Sequence, residues 1–74
     1  MPPANTAESP NEIGSAFAAM RKEAKIPQTR LAARVGISPG HLSRFEKGQR
    51  TIARPTYDAL IEALAQLARE GQAA

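Results

Sequence analysis

The sequence predicts an all-α domain, and three observations carry that prediction. Alanine is the commonest residue and the strongest helix former, whereas valine, tyrosine and phenylalanine, which favour strands, are scarce; aromatic residues make up 4% of the chain. Serine-proline pairs at Ser9-Pro10 and Ser38-Pro39 are start signals, a capping side chain followed by a ring already locked at helical φ. Between the helix breakers, apolar residues recur at spacings of three and four. At 74 residues, 42% hydrophobic and 23% charged, the chain makes one small globular domain. A chain of this size buries only about 60% of the surface it exposes when unfolded, so its stability margin is thin. It has no cysteine and one histidine, so neither a disulfide nor a metal centre can brace it, and no cofactor is expected. Absence of cysteine suits a reducing cytoplasm. No apolar run approaches the roughly 20 residues of a membrane span, and the N-terminus lacks the basic-then-apolar plan of a signal peptide. The expectation is a soluble, cytoplasmic protein.

Residues 1–8 hold two adjacent prolines and no periodicity, and read as a flexible N-terminal tail. Order is expected over 9–70. Ser9-Pro10-Asn11-Glu12 reads as a capping box, with Ser9 as cap and Glu12 three residues on. Ile13, Phe17, Met20 and Ala24 then form one stripe of a first helix over about 10–24, which Pro27 prevents from continuing. A second helix over about 28–35 turns Leu31, Ala32 and Val35 inward and Arg30 and Arg34 outward, and Gly36 ends it at positive φ. A third, about 39–47, carries Leu42 and Phe45 inward and stops at Gly48. Residues 49–54 are a loop with Ile52 as its apolar anchor. Pro55 opens the last helix, about 55–70, with Tyr57, Leu60, Ile61, Leu64, Leu67 and Ala68 on one broad stripe. Gly71 closes it, leaving 71–74 as a C-terminal tail.

The net charge of +3 is unevenly spread. Residues 1–25 are neutral and residues 55–74 are acidic. Between them, Arg30, Arg34, Arg44, Lys47, Arg50 and Arg54 face a single carboxylate, Glu46. A basic middle third suits a polyanion, although a solvated helix face would carry the same charges.

The stretch Gln28–Gly48 is the informative one. Two short helices joined by Gly36-Ile37-Ser38 match the geometry of a helix-turn-helix. Ala32 is small where two steeply crossed helices approach, Gly36 supplies the positive φ of the turn, and Ile37 plugs the gap beneath it. Leu31, Val35, Leu42 and Phe45 lock the pair at a fixed angle. An ordinary helical hairpin would not require these residues together.

These residues resemble the phage-repressor/Cro-type helix-turn-helix family, the xenobiotic-response-element-like class of bacterial and phage regulators. The resemblance rests on Gln28, Leu31-Ala32, Gly36-Ile37-Ser38 and Leu42-Ser43-Arg44-Phe45-Glu46-Lys47-Gly48-Gln49-Arg50, and extends over roughly residues 10–68. It implies a compact lambda-repressor-like bundle of four to five helices, whose third helix enters the major groove of double-stranded DNA. The solvent-facing positions of that helix are Pro39, Gly40, His41, Ser43, Arg44 and Lys47. Arg44 is the first candidate for a base contact, because a guanidinium can donate two hydrogen bonds to guanine O6 and N7. His41 and Ser43 are candidates for a phosphate or a base edge, and Ser38 and Gly40 belong to the same surface. Gln28 and Thr29, at a helix N-terminus, suit a phosphate. Lys47, Arg50 and Arg54 would grip the flanking backbone. Glu46 is implied to pair with Arg21, tying the first helix to the third; an i,i+4 pair with Arg50 is the local alternative.

The sequence departs from the family pattern in two places. Pro39-Gly40 stands where long polar base-readers are often found, which thins direct readout and gives DNA shape more weight. Pro27 replaces the usual Ser or Thr cap of the second helix. The resemblance further implies a bacterial, phage or plasmid regulator, repressor-like, binding a pseudo-palindromic operator as a weak or DNA-assisted homodimer. The last helix is the expected contact, through Tyr57, Ile61, Leu64 and Leu67 flanked by Ala63 and Ala65; the alternative is that this stripe packs wholly on Phe17, Met20 and Phe45. With one His, one Asp, no Cys and no carboxylate pair on a cleft-lining stretch, an enzyme is not expected. The competing function is an antitoxin or adaptor of the same fold that docks a protein partner, with DNA binding secondary. The polar end Arg69–Ala74 suits a complete small protein, and a domain cut from a longer regulator is the other reading.

Overall fold

The computed structural model describes residues 10–73. Over them the chain forms four helices: α1 (Pro10–Glu23), α2 (Gln28–Val35), α3 (Pro39–Glu46) and α4 (Arg54–Ala73). Ser9, and with it the capping box, lies outside the described residues, as does the segment read as a tail. α2 begins at Pro27, which is extended (φ −67°, ψ 151°) and gives no side-chain cap. α3 begins at Ser38, whose side chain accepts from the His41 N–H at 3.0 Å.

The first three helices end alike. Each is followed by a residue in the left-handed region: Lys25 (φ 62°), Gly36 (φ 90°) and Gly48 (φ 78°). The next N–H then reaches back five residues, Ile26 to Arg21 O at 3.2 Å, Ile37 to Ala32 O at 3.0 Å and Gln49 to Arg44 O at 2.8 Å. These bonds satisfy carbonyls that a helix end leaves open. At Lys25 no glycine announces the turn, and a Cβ in this conformation costs about 1–2 kcal/mol. Burial of the following Ile26, 5% exposed, offsets that cost. α4 departs from the sequence reading, for it runs through Gly71 and the segment read as a C-terminal tail is helical to Ala73. A glycine in a helix interior costs only about 1 kcal/mol relative to alanine, which favourable neighbours overcome.

The core is Phe17, Ile26, Leu31, Ala32, Leu42, Phe45, Leu60, Ala63, Leu64 and Leu67. α1 packs on α3, and α2 packs on both α3 and α4. The rings of Phe17, Phe45 and Tyr57 meet edge-on or tilted, with centroids 6.0–6.3 Å apart, and join α1, α3 and the start of α4. α1 can approach α3 closely because residue 14 is glycine: an added Cβ would overlap the Phe45 carbonyl oxygen and lie 3.0 Å from the Glu46 Cα. Met20, read as an inward residue, is instead 44% exposed. The buried face of α1 runs through Gly14, Phe17, Ala18 and Arg21, so the charged residue takes the inward position beside Met20. Among the described residues no helix is long and apolar enough to cross a membrane.

Candidate nucleic-acid interface

The turn between α2 and α3 is fixed from beneath by Leu31, Ala32 and Leu42, each fully buried. It is braced from the side by a buried ion pair. Arg21 Nε donates to Glu46 Oε2 at 2.7 Å and Nη2 donates to Oε1 at 2.9 Å, while Nη1 donates to the Ile26 carbonyl at 2.9 Å. Gln28 Nε2 adds a third donor to the same carboxylate, 2.8 Å from Oε1. One side chain of α3 is therefore held by α1 and by the first residue of α2, and Arg50 takes no part. Both charged side chains are below a tenth exposed, and no buried side-chain N or O among the described residues lacks a partner.

Held in this way, α3 leaves Pro39, Gly40 and Arg44 exposed and His41 and Ser43 half-buried, and Lys47, just past its end, is exposed as well. Thr29 is exposed and Gln28 half-buried at the start of α2, beside the end of α3. The first backbone donor inside α2 is Leu31 N, to Pro27 O at 3.2 Å, which leaves the N–H groups of residues 28–30 without a helical acceptor. Gln28 has a dual position: Glu46 takes one amide hydrogen, and the second remains to donate elsewhere. Ser38 acts locally as the cap of α3.

The cations of the basic third divide into two sets. Arg30 and Arg34 on α2 reach across to Glu70 of α4, at 3.6 and 3.2 Å. Arg54 pairs with Asp58 one turn along α4, at 3.1 Å, with both groups well exposed. Arg44, Lys47 and Arg50, on α3 and the loop after it, have no carboxylate partner among the described residues. The charge asymmetry visible in the sequence is thus sharpened by folding: acidic α4 neutralises part of it and leaves the α3 side positive. The pairing of Arg30 and Arg34 with Glu70 is not legible in the sequence, since 36 residues separate Arg34 from Glu70.

The expected dimer surface is also revised. Ala63, Leu64 and Leu67 are buried within the chain, and Tyr57 and Ile61 pack against the same core, so most of that stripe is consumed internally; Ala65 alone of those residues is exposed. Cavities among the described residues include two beside the core. One of about 410 Å³, beneath the loop after α3, is lined by Ile13, Phe45, Thr51, Ile52, Arg54 and Tyr57. The other, about 730 Å³, lies between α1 and the far half of α4, around Met20, Ile26 and Leu67. The described residues hold no cluster of three potential metal ligands.

A model of the helix-turn-helix family matches residues 17–69, more than half of the chain, and the match includes the Arg21–Glu46 pair and the whole of α2 and α3. No curated protein and no solved structure matches it significantly.

Proposed function

Because the chain belongs to the phage-repressor/Cro-type helix-turn-helix family, a family of DNA-binding regulatory domains, we propose that it is a sequence-specific, repressor-like transcriptional regulator. In this reading α3 lies in the major groove of double-stranded DNA. The observation that carries it is the set of three cations without a carboxylate partner among the described residues, Arg44 on α3 and Lys47 and Arg50 just after it, on a helix that buried contacts hold in place. Arg44 reads a guanine through O6 and N7. His41 and Ser43 contact phosphate or a base edge, over a first turn formed by Ser38, Pro39 and Gly40. Thr29, the free amide hydrogen of Gln28 and the open N–H groups of α2 hold a phosphate. Lys47 and Arg50 grip the backbone that flanks the site, and Arg54 joins them once released from Asp58.

Arg44→Ala is expected to weaken binding to the preferred site by about 1–3 kcal/mol while leaving random duplex nearly unaffected, since it removes base readout beyond its single charge. Competition binding with a selected site and a scrambled duplex checks this. Equal losses on both would reduce Arg44 to a phosphate contact.

One α3 spans too few base pairs to mark a site in a genome, so the reading includes two copies on a pseudo-palindrome with half-sites about 34 Å apart. With Leu64 and Leu67 already buried, little apolar surface on α4 is left for a stable free dimer, and assembly is DNA-assisted. Sedimentation should give monomer for the free protein and two chains per full operator in the complex. One chain per operator would refute this.

A further inference from the structure

The glycine at position 40 has none of the usual reasons to be one. Glycine is a poor helix former, yet Gly40 sits in the exposed first turn of α3 with no positive φ to require it, unlike Gly36 and Gly48. No backbone crosses it, unlike Gly14. The one neighbour that a Cβ at this position would meet is the Arg44 guanidinium, with Nη1 3.7 Å away. Helical side chains lean toward the N-terminus and over the residue four positions back, so Arg44 lies along the turn that Gly40 leaves bare. The rest of that turn has little to offer a base: Pro39 has no N–H, and the His41 N–H is taken by Ser38 Oγ at 3.0 Å.

We propose that Gly40 is a specificity-determining position through the absence of a side chain: the bare turn is the platform that sets the direction from which Arg44 addresses a G·C base pair. This rests on the reading of α3 as the DNA-recognition helix. The pair Gly40–Arg44 then acts as one reader, and the apparent loss of base-reading side chains at Pro39-Gly40 is what gives Arg44 its path. At 3.7 Å a methyl group makes ordinary van der Waals contact, so alanine is tolerated; a branched or longer side chain occupies the volume of the guanidinium.

The test selects sites from a randomised double-stranded DNA pool with the full chain and its Gly40→Ala, Gly40→Leu and Arg44→Ala variants. Leucine adds bulk without a hydrogen-bonding group and raises helix propensity at an exposed position, so thermal melting should remain at or above that of the parent. The parent and Gly40→Ala should select the same guanine, and Arg44→Ala should erase that preference. Gly40→Leu should lower it roughly tenfold, the scale of one bidentate base contact, with the preferences at the other positions of the site unchanged. An undiminished guanine preference in Gly40→Leu overturns the proposal. So does an equal loss on every duplex, which would mean a simple clash with DNA. Failure of the DNA reading itself has a different signature, a parent protein that enriches no sequence.

Discussion

Truncating Glu46 to alanine is expected to cost about 3–5 kcal/mol of folding stability, the range for stripping one partner from a buried ion pair. Three donors converge on this carboxylate: Arg21 Nε and Nη2, and Gln28 Nε2. Removing it leaves a guanidinium that is 9% exposed with its charge uncompensated. Against a total stability of about 5–15 kcal/mol typical of folded domains, such a loss populates the unfolded state substantially. Urea denaturation of the single variants and of the double Arg21→Leu, Glu46→Leu protein measures the coupling. The double variant should be less destabilised than the single losses sum to, with an interaction energy well above the ~0.2–1 kcal/mol of exposed pairs. Arg50→Ala should change stability by no more than about 0.5 kcal/mol, as expected at an exposed position. Additive single variants would contradict the bracing role.

Gly14→Ala should destabilise the protein by about 1–3 kcal/mol, the usual cost of forcing an extra methyl into a packed contact. The sign is the informative part. Helix propensity alone would make this change stabilising by about 1 kcal/mol. The Cβ, however, meets the Phe45 carbonyl rather than a flexible side chain, so α1 must move away from α3 and loosen the Phe17–Phe45 contact. Gly71→Ala is the control: nothing lies within 4 Å of a Cβ there, and the change should be neutral or stabilising by up to about 1 kcal/mol. Denaturation midpoints of both variants at equal slope give the comparison. A stabilised Gly14→Ala protein would mean that α1 does not approach α3 in this way.

What the sequence makes legible here is local chemistry. Ser38-Pro39, Gly36 and Gly48 mark boundaries because caps and left-handed turns depend on residues adjacent in the chain. What it hides depends on tertiary distance. Gly14 reads as an unremarkable helix residue until α3 is seen against it. Met20 belongs to the apolar stripe by hydropathy, yet Arg21 is the inward residue; hydropathy hides this, whereas the family resemblance implied its pairing with Glu46, 25 positions away. Ile26 lies in a connection without periodicity and still enters the core, since Lys25 turns the chain there without a glycine. The positive surface is likewise only half legible. The composition of residues 26–54 gives the charge, but the acidic residues of α4 decide which arginines remain unpartnered.

The salt dependence of DNA binding tests the central claim most directly. Each phosphate neutralised contributes roughly −0.9 to the slope of log affinity against log salt, so the two backbone contacts Lys47 and Arg50 together give about −2 per chain. Fluorescence anisotropy on a labelled random duplex across a salt series measures it with no knowledge of the operator. Arg50→Ala should flatten the slope by about one, whereas Arg30→Ala, removing a cation already held by Glu70, should leave it unchanged. A parent slope near zero would contradict a DNA-binding role for α3.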